Sequence, residues 1–252
     1  MAKSPLYQPR LYREAMGNSR WKSFMSSWLE TDLWVAIDTA HYRQETERFT
    51  MDRILYYRKI LDKHISLHPE FRDSLTPVVD PGDSHPLITA MSKAALTAGT
   101  GPMSAVAGAV AEFVCRDILA EYDAGEVIVE NGGDIFMKLE TPVSVAVHAG
   151  DSPLSEKITL QVKPDETPLA LCCSSGTVGH SLSFGMADAC MIACRSGAMA
   201  DAFATAFCNL VKNKGIVYEV TEQALGQPEV VSVVIIAGGK LGIGGQIEIK
   251  II

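Results

Sequence analysis

The 252-residue sequence contains no CxxC pair, no GxGxxG, no GxxxxGK[ST] and no GxSxG. These absences remove the usual zinc ribbons, dinucleotide-binding Rossmann units, P-loop ATPases and nucleophile-elbow hydrolases from consideration. Basic residues are in deficit: 22 Lys and Arg stand against 30 Asp and Glu, for a net charge of -8. That balance argues against nucleic acid or an anionic membrane as partner, since both reward a surplus of positive charge. No segment reaches the roughly 18 uninterrupted apolar residues of a membrane span. The opening "MAKSPLYQPRLYREAMG" has neither an apolar core of signal-peptide length nor a lipid-attachment cysteine, so a cytoplasmic location is expected. The six cysteines are unevenly spaced inside apolar runs, and their plain reading is buried reduced thiols.

What is present is a globular composition, 47% hydrophobic and 21% charged, enough for one large domain over 1–252. Residues 1–30 show no clear period, while "DLWVAIDT" at 32–39 alternates as a strand does. In 51–67, Ile54, Leu55, Tyr57, Leu61 and Ile65 recur near helical spacing, with Pro69 just beyond. The stretch 74–87, with three prolines and a glycine, is a connector.

Beyond it an internal echo appears. "GPMSAVAGAVAEFV" at 101–114 and "GAMADAFATAFCNL" at 197–210 both open on Gly-x-Met before a run of small and apolar residues. Each is followed by a strand with Gly-Gly at its tip, "VIVENGGDIF" and "VVIIAGGKLG". Gly-Gly between apolar runs supplies the positive φ angles of a tight hairpin. The expected fold is therefore α+β, two similar helix-plus-hairpin halves at about 90–165 and 186–252 packed as one unit. The expected core includes Val106, Val110, Phe113, Ile128, Val129, Ile192, Phe203, Phe207, Val234 and Ile236.

Between the halves, "LALCC" and "ADACMIAC" are candidate buried strands, and "SSGTVGHSLSFG" is a polar, glycine-rich loop suited to binding. It offers Ser174, Ser175, Gly176, Thr177 and His180; Cys173 with His180 as its base would be a nucleophile only if that thiol were not buried. Around the first Gly-Gly pair, Glu130 and Asp134 are two carboxylates that repel unless solvent, a donor or a cation lies near. In the second helix, Ser196 is a sound N-cap, and Asp201 and Thr205 lie four apart on one face, where both can reach one hard cation. The simpler alternative on spacing is that Asp201 complements the positive end of its own helix while Thr205 packs among alanines.

In combination, "GTGPMSAVAGAVAE", "VIVENGGDIF", "SSGTVGHSLSFGMADA" and "GAMADAFATAFCNLV" resemble an uncharacterised prokaryotic family of the ApbE-like superfamily, which is named for the FAD:protein FMN transferases. The resemblance runs through most of the chain, including "YREAMG" and "ETDLWVAID". "NGGDI" is similar to the transferases' Gly-Gly-Asp turn, and "ADAFATAF" to the Ala-Asp-x-x-x-Thr-Ala motif whose Asp and Thr bind magnesium. The resemblance thus implies Asp201 and Thr205 as metal ligands, Mg²⁺ with FAD or a related nucleotide as cofactors, and a small-molecule nucleotide as the ligand. Asn131, Gly132, Gly133, Asp134, Ser174, Ser175, Gly176 and Thr177 would line its cleft, and His180 is the candidate catalytic residue. The transferases' Ala-Lys-Gly motif is Val106-Ala107-Gly108 here, so Ala107 stands where they carry lysine, and Glu112 follows where they carry Asp. Their His-x-x-Asp-Pro segment has no equivalent after Gly176. The alternatives to a transferase or hydrolase are a flavin or nucleotide carrier or sensor, and a structural subunit; a homo-oligomer is left open.

Overall fold

Valine, isoleucine and alanine occupy both parities of several strand segments, which calls for a sheet covered on both faces. The computed structural model describes residues 19–80, 82, 84–177 and 184–252. In chain order its elements are β1 (Trp21–Trp28), β2 (Thr31–Asp38), α1 (Glu45–Leu67), α2 (Glu70–Asp73), α3 (Pro86–Ala98), α4 (Val106–Tyr122), β3 (Val127–Asn131), β4 (Asp134–Lys138) and β5 (Val143–Ala146). There follow β6 (Ile158–Val162), β7 (Leu169–Ser174), β8 (Ala189–Cys194), α5 (Gly197–Leu210), α6 (Val217–Leu225), β9 (Val230–Ala237), β10 (Lys240–Gly245) and β11 (Glu248–Ile251).

Eight strands form one antiparallel sheet in the order β1-β2-β3-β4-β7-β8-β9-β10. The order repeats a pattern: hairpin, helices, hairpin, first as β1β2 to β3β4 and then as β7β8 to β9β10. Val129 and Ile192 point into a core shared with α1, α3, α4, α5 and α6. Ile128, Val234 and Ile236 point the other way, where the small sheet β11-β6-β5 covers the second face. Of the residues expected in the core, Val106 and Phe113 are only partly buried and pack on its rim. No helix among the described residues is long and apolar enough to cross a membrane.

The 3-10 turn Pro102–Ala105 intervenes before α4, which starts at Val106 and not near Gly101. The repeat of hairpin, helices and hairpin also starts earlier than expected in each half, at Trp21 and at Leu169. Helix α1 starts at Glu45, six residues before the periodic stretch that announces it. Both Gly-Gly pairs form two-residue hairpin turns: Asn131 pairs with Asp134 across φ of 70° and 103°, and Ala237 with Lys240 across 54° and 77°. Positive φ at both central positions is the type I′ requirement that glycine meets without strain.

The end of the sheet away from these turns is held by two carboxylates, one buried and one partly buried. Glu126 accepts the N–H groups of Glu140 and Thr141, each at 2.9 Å, and the Trp21 indole N–H at 2.8 Å, beside Arg20 at 3.0 Å. Asp38 accepts the N–H groups of Gly125 and Glu126 and pairs with His41. Burial alone would raise both acids, but these N–H donors and the neighbouring charges hold both below their ordinary values. A lowered folded pKa contributes stability above the unfolded value and loses it as pH falls through the folded one. Glu126→Gln should therefore cost about 1–3 kcal/mol at neutral pH and flatten the loss of stability below about pH 4.5. Urea unfolding at pH 3.5, 5 and 7 measures this, and an unchanged acid limb would exclude Glu126 as its source.

Candidate functional site

Helices α4 and α5 cross where each carries a glycine. A Cβ on Gly108 would lie 2.3 Å from the Gly197 carbonyl oxygen, and one on Gly197 would lie 2.2 Å from the Gly108 oxygen, so only glycine permits this approach. Four residues beyond each glycine is an acid, and the two acids are exchanged between the helices. Asp201 Oδ2 accepts the Gly108 N–H at 2.9 Å, while Glu112 Oε2 accepts the Gly197 N–H at 2.6 Å and the Ser196 hydroxyl at 3.2 Å. Each carboxylate thus satisfies N–H groups in the first turn of the opposite helix. Asp201 complements the dipole of α4, not that of its own helix. The N-terminus of α5 is met by Glu112, which takes the Gly197 N–H, and by Ser196, whose Oγ accepts from Met199 N.

The turn Gly132-Gly133 and the end of β7 lie side by side at one end of the sheet. Asp134 Oδ1 accepts the Cys173 N–H at 3.1 Å. Glu130, fully buried, folds back to accept the Gly133 N–H at 2.6 Å. Asn131 is also buried, and its amide donates to the Ala107 carbonyl at 3.1 Å, bracing the hairpin against the start of α4. The segments "ENGGD" and "SSGT" therefore lie at the same end of the sheet. Beyond β7, Thr177 N–H donates to Ser175 Oγ, Gly176 N–H donates to the Ala187 carbonyl, and Thr177 Oγ1 donates to Asp188. Asp188 accepts the Gly238 N–H at 2.8 Å, tying this loop to the second Gly-Gly turn. His180 lies outside the described residues.

Electrostatically the centre of this end is the pair Asp134 and Asp201. Burial and then the charge of Asp201 push the Asp134 carboxyl well above the usual range, with Glu130 adding to the shift and the Cys173 N–H opposing it. Burial pushes Asp201 up to about 7 against the hydrogen bonds from Gly108 and Ala107. No Lys, Arg or His among the described residues pairs with either carboxylate. Thr205, half-buried, is one turn beyond Asp201 on α5. Among the described residues, no three or more His, Cys, Asp or Glu side chains are grouped to hold a metal ion. A cation here would complete its shell with a hydroxyl, backbone carbonyls and ligand oxygens, all hard donors of the kind magnesium takes.

Cys173 is a poor nucleophile in this setting, because burial pushes its thiol up to about 12. All six cysteines are free thiols. Ser174 is buried within β7 opposite Cys190, whereas Ser175, Gly176 and Thr177 reach the surface. Two features of this end are not anticipated from the residues: the Glu112 clamp and the Asp188 tie. The signal that points to the first is the pair "GAVAE" at 108–112 and "GAMAD" at 197–201, glycine and acid at the same interval.

A family model described as AbpE bacteria matches residues 13–234. The chain belongs to that family. A UPF0280 protein of Methanocaldococcus jannaschii is 32% identical over 223 residues, covering 86% of this chain and 88% of that protein. A UPF0280 protein of Methanococcus aeolicus is 38% identical over 183 residues, 72% of each chain. Among solved structures, the apo form of the flavinyl transferase ApbE from Pseudomonas stutzeri superposes with a TM-score of 0.54 at 12% identity, over 89% of this chain and 93% of that one. The ApbE protein of Thermotoga maritima gives 0.53 at 13% identity, over 90% and 96%. The fold of this ApbE-like chain is the one those proteins share.

Proposed function

We propose that this protein binds FAD or a related nucleotide at the Gly132-Gly133 end of the sheet, with Mg²⁺ held by Asp201 and Thr205. The carrying observation is the pair of carboxylates Asp134 and Asp201, near enough that the charge of one raises the other, with no Lys, Arg or His paired to either among the described residues. Such a pair is costly unless a proton or a cation neutralises it. Bound Mg²⁺ would supply charge neutralisation on a pyrophosphate, which an acidic protein otherwise lacks. Gly132 and Gly133 leave room for a ligand to approach backbone. Ser175, Gly176 and Thr177 on the adjoining loop would contact its polar groups, and Ser174 and Asn131 would hold the walls. His180 is assigned to proton transfer if the bound nucleotide is cleaved or transferred. The fold shared with a flavinyl transferase supports a flavin over other nucleotides. A cytoplasmic setting fits the six free thiols.

Ala107 favours a second reading, a carrier or sensor that holds the nucleotide without transferring it, because no amine extends from that position toward the site. Titrating FAD fluorescence with the purified protein, with and without Mg²⁺, tests the common part of both readings. Saturable binding that needs the cation is expected; no binding of FAD or of an adenine nucleotide under either condition would reject the assignment. Release of a mononucleotide or a flavinylated product after incubation would separate the enzyme from the carrier.

A further inference from the structure

We propose that Glu112 is a positioning residue for the cation site, setting where Asp201 stands relative to Asp134; this rests on the cation reading above. The four residues Gly108, Glu112, Gly197 and Asp201 form a closed ring across the α4–α5 contact. From Gly108 the chain runs one turn to Glu112, which takes the Gly197 N–H at 2.6 Å. From Gly197 it runs one turn to Asp201, which takes the Gly108 N–H at 2.9 Å. A slide of α5 along α4 would break both hydrogen bonds, and the touching glycine backbones leave no slack across the contact.

The two acids in the ring are equivalent in place and opposite in how their charge is answered. Glu112 has Arg116 one turn on, with Nε donating to its Oε1 at 2.9 Å. At the corresponding place beyond Asp201 stands Thr205. The Arg116 guanidinium and the Gly197 N–H both donate to Glu112 and hold it in place, while the charge of Asp201 is left facing Asp134. One acid is therefore a fixed anchor, and the other is the group that the anchor presents. Glu112 touches neither ligand nor metal in this scheme. It acts through the helix, and residues that support a metal ligand in this way are worth about 10–100-fold in affinity.

The test is thermal unfolding of the full-length wild type and of E112A, E112Q and E112D, each titrated with MgCl₂ and separately with MnCl₂, with apparent Kd taken from the shift in Tm. Wild type should be stabilised by both salts. E112A, which leaves the Gly197 N–H without an acceptor, should melt lower without metal and bind metal about 10-fold or more weakly. E112Q, whose amide oxygen can take the same N–H, should keep an apparent Kd close to that of wild type. A purely structural Glu112 would lower Tm in E112A and leave its apparent Kd unchanged, and that result overturns the proposal. So does E112Q binding as weakly as E112A. If E112A does not fold, E112D takes its place: its arm is one methylene shorter, and an apparent Kd equal to wild type would overturn the proposal equally. A wild type that responds to neither salt rejects the cation reading itself, and the role of Glu112 with it.

Discussion

Asp201→Asn should abolish Mg²⁺-dependent FAD binding while leaving the fold intact, with affinity falling by about 100-fold or more. That lies at or beyond the top of the about 10–100-fold loss from residues that only support a metal ligand. Asparagine keeps an oxygen for the Gly108 N–H, so the link between α5 and α4 survives the change. It also removes one of two carboxylates that repel, so the variant without metal should melt no lower than wild type. Asp201→Ala makes the contrast. It strips the Gly108 N–H of its acceptor and should cost about 0.5–2 kcal/mol, the usual cost of losing a helix cap, on top of the same loss of binding. FAD fluorescence titrations with and without Mg²⁺ and a melting curve for each variant decide the matter. If Asp201→Asn binds FAD with unchanged metal dependence, Asp201 is only the cap of α4 and the cation site is elsewhere.

That pair of variants also marks the limit of reading this site from spacing. Asp201 and Thr205 at an interval of four are visible in the sequence, as is the possibility that Asp201 serves a helix dipole. The helix whose dipole it serves is 93 residues away in sequence. Local signals did carry far where the physics is local. The Gly-Gly turns at 132 and 238 follow from φ angles that only glycine adopts freely, and the strands around them follow from alternation. Strand β1 is not legible in the same way, because at the edge of the sheet only Phe24 and Ser26 are buried and the alternation is left incomplete. The echo between the two small-residue helices is visible too, but matching Gly101 to Gly197 follows a shared Gly-x-Met that falls in a 3-10 turn in one copy and a helix in the other. The match that packing uses is Gly108 to Gly197, seven residues further on, and what distinguishes it is a contact between backbones.

Gly108→Leu is expected to be the most destabilising single change at the α4–α5 contact. Inserting a side chain into a packed interior costs about 1–3 kcal/mol when neighbouring side chains can shift. Here the first atom of the new side chain would meet the Gly197 carbonyl 2.3 Å away and the Asp201 Cβ 2.8 Å away. The carbonyl is backbone and cannot rotate aside, so the helices must separate, and the cost should reach about 3 kcal/mol or more. Separation would also pull Asp201 from the Gly108 N–H and Glu112 from the Gly197 N–H, so metal-dependent binding should fall together with stability. Gly226→Ala is the control. It sits at the C-terminal cap of α6 with φ of -71°, and its nearest neighbour would be 3.4 Å away, so its effect should stay within about 0.5 kcal/mol. Urea unfolding of both variants gives the comparison. If Gly108→Leu proves no less stable than Gly226→Ala, the two helices do not meet through their glycines, and the ring that presents Asp201 to the site does not exist.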